Sequence, residues 1–545
     1  MHMDGFAARR DAMVKAGFWK NRTLLDDFDH RVKEQPGALA IVAHDVTQAS
    51  QTRLTYGELD ERVTRIAVNL AGLGVEVGDV VSYQLPNWWQ FVALHLACLR
   101  IGAITNPIMP ILRRRELEFM LNHARSKVVV TPQVFRDFDH GAMIAGMRDV
   151  LPHLAHALVI GGEGDAAFER LHDKPVDQTA ATALFAARRP KPDDIIQVLY
   201  TSGTTGEPKG VMHTSNTQIS NLGPYIERLH LSGQDIVFMA SPLAHQTGFM
   251  YGLMMPIVLG CHVVLQDIWN RKVAADLFAA ERPTFTMAST PFLADLTDEA
   301  EARPEAFRSL RVFLAAGAPI PRVLVRRATD HMGATIASGW GMTENGAVTV
   351  TKPEDPPEKA FETDGCPLPG MAVRVVDPAD KPLAAGEEGR LQVKGCSNFV
   401  GYLKRPDLNA VDAEGWFDTG DLARIDAEGY VRITGRAKDI IIRGGENIPV
   451  VEIEGLVYKH PDINDVAIVA MPDDRLGERA CAFVTTRPGT KVTLGDVTAF
   501  LSSQHITKNY LPERLEVLSE LPRTASGKIQ KFRLREMAKT MKPGE

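Results

Sequence analysis

The stretch that most restricts what this chain can become is Thr201-Ser202-Gly203-Thr204-Thr205-Gly206-Glu207-Pro208-Lys209-Gly210, which follows the apolar run Ile195-Ile196-Gln197-Val198-Leu199-Tyr200. Glycines permit backbone conformations that a β-carbon would forbid and let N–H groups approach an anion, while the Ser and Thr hydroxyls and Lys209 add donors. A buried strand running into such a loop predicts a polyphosphate site at a strand end. A flexible surface turn is the plainer reading of any glycine-rich decapeptide, but it leaves the strand entrance and the clustered donors unexplained. The loop is not a Walker A motif, which needs Gly directly before the Lys and Ser or Thr after it; here Lys209 lies between Pro208 and Gly210.

Around this loop the pattern alternates. Leu24, Leu25, Phe28 and Val32 mark an amphipathic helix over 24–35, followed by a strand over 38–42. Leu59, Val63, Ile66, Ala67 and Leu70 recur at helical spacing until Gly72 and Gly74 stop them. Strands are expected at 80–85, 128–131 and 157–160, with a helix over 88–99. From about 373 the spacing shortens to strands and tight turns, which predicts a small β subdomain. The fold class expected is α/β with a β subdomain, and 545 residues are more than one core usually serves.

A net charge of −7, from 61 basic and 68 acidic residues, gives no general case for nucleic acid or an anionic membrane as partner. Cys98, Cys261, Cys366, Cys396 and Cys481 are far apart with no metal-ligand spacing, so they read as reduced thiols of a cytoplasmic protein. The N-terminus lacks an apolar signal core. Gly248–Leu265 carries no Asp, Glu, Lys or Arg, yet Pro256 and His262 interrupt it, and a buried helix running into a strand is expected there rather than a membrane span.

Two further motifs lie at strand-to-loop edges, where open α/β sheets hold ligands: Gly317-Ala318-Pro319 after the strand 312–316, and Trp340-Gly341-Met342-Thr343-Glu344 after the strand 336–339. Downstream stand Thr419-Gly420-Asp421, Gly435-Arg436-Ala437-Lys438, Gly444-Gly445 and Ser526-Gly527-Lys528. With the loop at 201–210, they resemble in order and spacing the adenylate-forming superfamily of acyl-CoA ligases, adenylation domains and luciferases, over almost the whole chain.

That resemblance implies a large N-terminal domain at 1–437, with its β subdomain at about 373–437, and a small mobile α+β domain at 438–545. It implies nucleotide binding by Thr201, Ser202, Gly203, Thr204, Thr205, Gly206, Lys209, Gly317, Ala318, Pro319, Trp340, Gly341, Met342, Thr343, Asp421, Arg436 and Lys528. Trp340 would stack on adenine, Asp421 and Arg436 would meet the ribose, and Glu344 with Thr201 would hold Mg²⁺, a hard cation suited to oxygen ligands. The family usually has Tyr where Trp340 stands, so a hydrogen bond from that ring position is in question. Catalysis is expected of Lys528, Glu344 and Thr343, pivoting of Lys438, and CoA contact of Gly444 and Gly445. The acyl wall would be His245, Phe249, Ala315, Gly339, Gly346 and Ala347, several of them small, which leaves room for a puckered ring. The expected acid is cyclohexane-1-carboxylate, with short- to medium-chain or aromatic acids as alternatives. ATP and CoA are the implied co-substrates, and a monomer or homodimer is equally compatible. A carrier-protein-loading enzyme would share the first step, and a nucleotide sensor the pocket; luciferase-like oxidation is a weaker alternative.

Overall fold

The computed structural model describes residues 6–201, 208–317, 320, 322–437, 441–443, 446–473, 475–504, 506, 508–524 and 528–541. Two sheets dominate its large N-terminal domain. The nine-stranded one runs Cys366–Pro367, Gly346–Val350, Thr335–Met342, Val312–Ala316, Phe285–Ala288, Ile236–Met239, His262–Gln266, Leu39–Asp45, Ser50–Thr55, parallel in its middle and antiparallel at its edges. The seven-stranded one runs Gly401–Tyr402, Lys209–Thr214, Ile195–Thr201, Ile104–Pro107, Val80–Tyr83, Ser126–Pro132, His156–Ile160.

Alternation along the central strands decides which core each side chain enters. Val237, Val263 and Leu314 join a core shared with Val81, Tyr83 and Val128 of the second sheet, whereas their neighbours Phe238, Val264 and Phe313 face a separate core. Helices Arg271–Glu281 and Thr290–Ala302 supply the other side of that second core. The helix Trp89–Arg100 is buried on all sides within the first, which explains why its sequence lacks a polar face.

Local signals account for several boundaries. Thr55 caps the helix Tyr56–Gly72 by accepting the Glu58 N–H, while Glu58 accepts the Thr55 N–H at 2.8 Å. Gly74, at φ +83°, turns the chain out of it. The apolar stretch from Gly248 forms a π-helical turn at Phe249–Met254, a helix at Met255–Leu259 and the strand His262–Gln266. No helix among the described residues is long and apolar enough to cross a membrane.

The antiparallel sheet Met371–Val376, Gly389–Gly395, Phe417–Ile425, Val431–Arg436 forms the expected β subdomain. Beyond it a smaller α+β domain is built on Gly477–Thr486 paired with Ile463–Asp473, Ile441–Arg443 and Arg514–Val517, covered by helices Val450–Val457, Leu494–Ser503 and Lys531–Ala538.

Candidate active site

The segment expected to be a loop after residue 339 is instead strand. Thr335–Met342 continues through Trp340 and pairs with Gly346–Val350 across a bulge between Trp340 and Gly341. A β-carbon on Gly341 would lie 2.0 Å from the Gly346 carbonyl oxygen, so glycine is what lets this hairpin close. The pairing aims Trp340 at the β subdomain, where its indole Nε1–H donates to Asp421 Oδ2 at 3.0 Å. The ring therefore does supply a donor, nitrogen in place of a phenol oxygen. Arg436 Nε lies 2.8 Å from Asp421 Oδ1, from the register-matched position on the neighbouring strand. A carboxylate that is 2% exposed is thereby matched by two donors, one of them cationic.

Glu344 follows on the hairpin turn and is buried. Burial raises its pKa; the Tyr402 hydroxyl, donating to Oε1 at 2.6 Å, and the charges of Lys209 and Arg436 oppose that rise. Lys209 Nζ also lies 4.7 Å from the Tyr402 ring centroid. The backbone of the turn is pinned too: Phe399 N–H donates to the Glu344 carbonyl at 2.6 Å, and His213 Nε2 donates to the Thr343 carbonyl at 2.7 Å. Thr201 ends the strand Ile195–Thr201 opposite Lys209. A buried carboxylate at Glu344 and a hydroxyl at Thr201 are hard oxygen donors, the set that suits magnesium.

Lys528 is exposed, and its carbonyl accepts the Thr524 N–H at 2.7 Å. Its charge reaches His245: burial first, and then Lys528, pushes that imidazole down to about 4, so it is neutral at pH 7. His245 Nδ1 accepts the Thr247 N–H at 3.3 Å, which orients the ring.

The expected acyl wall is less open than small side chains implied. A β-carbon on Gly339 would meet the Thr349 carbonyl oxygen at 2.9 Å, and one on Gly346, at φ +65°, would meet Asn221 Oδ1 at 3.0 Å. Neighbouring chain fills the space beside both glycines. Ala315 is fully buried in the core on the far side of its sheet, and Phe249 is fully buried, its ring edge-on to His95 at 4.8 Å. Ala347 donates its N–H to the Tyr251 hydroxyl at 2.8 Å, and that hydroxyl donates to Asn221 Oδ1 at 2.7 Å. The smallness of Gly339 and Gly346 is a packing requirement rather than room for a ring, which corrects the inference drawn from residue size.

Gly317 follows the strand Val312–Ala316 with φ +90°. Ser202, Gly203, Thr204, Thr205, Gly206, Ala318, Pro319, Lys438, Gly444 and Gly445 lie outside the described residues. Sequence reasoning missed Tyr402, Asn221 and Tyr251. Each acts on a residue at least 58 positions away or through a π-helical turn, and none stands in a motif.

Residues 28–403 match the family model described as AMP-binding enzyme, and 452–528 match that of the AMP-binding enzyme C-terminal domain. The chain is 38% identical to the medium-chain fatty-acid–CoA ligase of Escherichia coli, covering 97% of this chain and 92% of the relative. It is 35% identical to a Streptomyces salicylyl-CoA synthase / salicylate adenylyltransferase, over 97% of this chain and 96% of that one. Among solved structures, ATP-bound MatB from Rhodopseudomonas palustris is similar with a TM-score of 0.82 at 26% identity, covering 95% of this chain and 99% of that one. With both models matched in order and relatives above 30% identity over nearly its full length, this protein belongs to the AMP-binding enzyme family, within the adenylate-forming superfamily of AMP-forming acid–thiol ligases.

Proposed function

We propose that this protein is an ATP-dependent acyl-CoA ligase that works through an acyl-adenylate, with cyclohexane-1-carboxylate as its preferred acid and medium-chain fatty acids as weaker substrates. A carboxylate oxygen attacks the α-phosphorus of ATP, the bond to pyrophosphate breaks, and acyl-AMP forms. The CoA thiolate then attacks the acyl carbonyl and AMP leaves with the oxygen that bridged it. A carboxylate is already nucleophilic at neutral pH, so the first step needs no general base. It needs positioning and charge stabilisation.

In this reading Trp340 covers the adenine and Asp421 accepts from the ribose hydroxyls, exchanging part of its present pairing with Trp340 and Arg436. The loop 201–210, with Lys209, receives the phosphates, together with Gly317-Ala318-Pro319 and Gly341-Met342-Thr343. Magnesium, held by Glu344 and Thr201, would offset charge on the triphosphate. Lys528 serves adenylation, and Lys438, at the division between 1–437 and 438–545, is the pivot that exchanges it for Gly444-Gly445 when CoA reacts. A cytoplasmic setting fits these substrates.

What supports this reading above all is that residues far apart in the chain converge: Trp340 and Arg436 on the Asp421 carboxylate, and Tyr402, with Lys209 against its ring, at Glu344. The neutral His245 favours an acid without a second charge or hydroxyl, which would cost about 1–3 kcal/mol to bury unpaired. A pyrophosphate-release screen over saturated cyclic, linear and aromatic acids tests the substrate. Cyclohexane-1-carboxylate should give the highest kcat/KM, and a highest value for a hydroxybenzoate or an amino acid would overturn the assignment. A highest value for octanoate would keep the chemistry and move the preference to chains.

A further inference from the structure

The AMP-binding family match begins at residue 28, yet the chain ahead of it is built into the site. Helix Phe6–Lys15 carries Arg9, whose Nη1 and Nη2 both donate to the Phe399 carbonyl at 3.1 Å. The guanidinium is 5.2 Å from the centroid of Phe6 and 5.5 Å from that of Trp19, and Trp19 Nε1–H donates to the Cys396 carbonyl at 2.8 Å. Burial lowers the Arg9 pKa to about 10, so it stays a cation at neutral pH. Two donors from one short segment thus hold both ends of 396–399.

That stretch in turn holds the Glu344 turn. Phe399 N–H donates to the Glu344 carbonyl at 2.6 Å, Ser397 Oγ donates to the Asn345 carbonyl at 2.7 Å, and Tyr402, three residues on, reaches the Glu344 carboxylate. The neighbouring Thr343 is held separately, by His213. Thr343 offers only a carbonyl, so His213 Nε2 must carry the proton and Nδ1 must accept from the Thr217 hydroxyl at 3.1 Å. Burial keeps this ring neutral, and the charge of Arg9 acts in the same direction.

We propose that Arg9 is a positioning residue for Glu344, and that residues 6–19 act as a clasp which fixes the 396–402 stretch against the Thr343-Glu344 turn. The inference rests on the proposed role of Glu344 in adenylation. It gives the N-terminal segment a part in one half-reaction only. Removing the clasp should loosen the carboxylate, while attack of CoA on a preformed adenylate, which carries no triphosphate, should proceed as before.

The test uses full-length Arg9→Ala, Arg9→Lys and Trp19→Phe proteins, checked for folding by circular dichroism and thermal melting. Three quantities are measured: acyl-AMP formation from acid and ATP, thioester formation from synthetic acyl-AMP and CoA, and the affinity for Mn²⁺ with a non-cleavable ATP analogue, read by electron paramagnetic resonance. Arg9→Ala should lower kcat for adenylation about tenfold or more, leave KM for the acid within twofold, weaken Mn²⁺–nucleotide binding severalfold, and leave the thioester step within twofold. Arg9→Lys should recover part of both losses, because an ammonium can still donate to the Phe399 carbonyl. Wild-type adenylation and Mn²⁺ affinity in Arg9→Ala would overturn the proposal, and so would equal loss in both half-reactions, which marks a general structural anchor. If Arg9→Ala does not fold, Trp19→Phe decides: it keeps the ring and removes one donor, and selective slowing of adenylation supports the clasp while an unchanged ratio of the two steps refutes it. Failure of the wild-type protein to form acyl-AMP at all would instead strike at the functional reading beneath.

Discussion

Tyr402→Phe removes one hydroxyl and little else. The phenyl ring remains for Lys209 to lie against, and what is lost is the O–H that donates to Glu344 Oε1 at 2.6 Å. A hydrogen bond to a charged group contributes about 1.5–3 kcal/mol, so losing it disfavours the ionised Glu344 carboxylate and moves its pKa further upward. Burial has already raised it, so the two effects act in the same direction. Only the ionised form can oppose a cation, so raising the pH restores activity and lowering it removes activity. The variant should lose about 10- to 100-fold in adenylation, with the larger loss at the acid end of a pH 6.5–9 series, whereas the wild-type profile should be flatter over that range. Pyrophosphate release from acid and ATP, measured across this range, reads the effect; thioester formation from synthetic acyl-AMP is the internal control. A loss that is the same at every pH, or equal in the two assays, would refute the account of Tyr402 as the group that keeps Glu344 ionised.

Lys528→Ala should reduce adenylation by about 10²–10³ while sparing much of the thioester step, and comparable loss in both would mean a lysine used throughout the cycle. Gly341→Ala would place a β-carbon 2.0 Å from the Gly346 carbonyl and should cost about 1–3 kcal/mol or more in urea melts. Gly455→Ala, in open space on helix Val450–Val457, should instead gain about 0.5–1 kcal/mol. His95 and His213 are buried, with pKa values pushed down to about 3 and about 4 by burial, against about 6.5 in an unfolded chain. The unfolded state therefore binds protons first, and stability should fall as pH drops from about 6.5 toward 4. Urea melts at pH 7, 5.5 and 4.5 should show that slope, and His95→Gln should flatten it; an unchanged slope would exclude His95 as a contributor.

The layered fold was legible because its signals are local. The apolar runs at 80–85 and 128–131, the helical spacing from Leu59 to Leu70, and the glycines that stop it need no partner to be read. The motifs were legible for a different reason: Trp340, Glu344, Asp421 and Lys528 stand in short patterns whose order resembles a family. What escaped was everything joining distant segments without a pattern. Tyr402 meets Glu344, Arg9 meets Phe399 and Asn221 meets Ala347, and each depends on where two sheets bring the chain. Glycine at 339 and 346 misled in the same way, since a missing side chain marks either space or close packing, and only the neighbour at 2.9–3.0 Å decides.

The central claim is that a carboxylate oxygen of the acid attacks the α-phosphorus of ATP, and its most direct test follows that oxygen. Cyclohexane-1-carboxylate labelled with ¹⁸O in both carboxyl positions is incubated with the protein, ATP, Mg²⁺ and CoA, and the products are weighed by mass spectrometry. The account predicts AMP carrying one ¹⁸O, a thioester carrying the other, and unlabelled pyrophosphate. Unlabelled AMP, or ADP with label in inorganic phosphate, would contradict it.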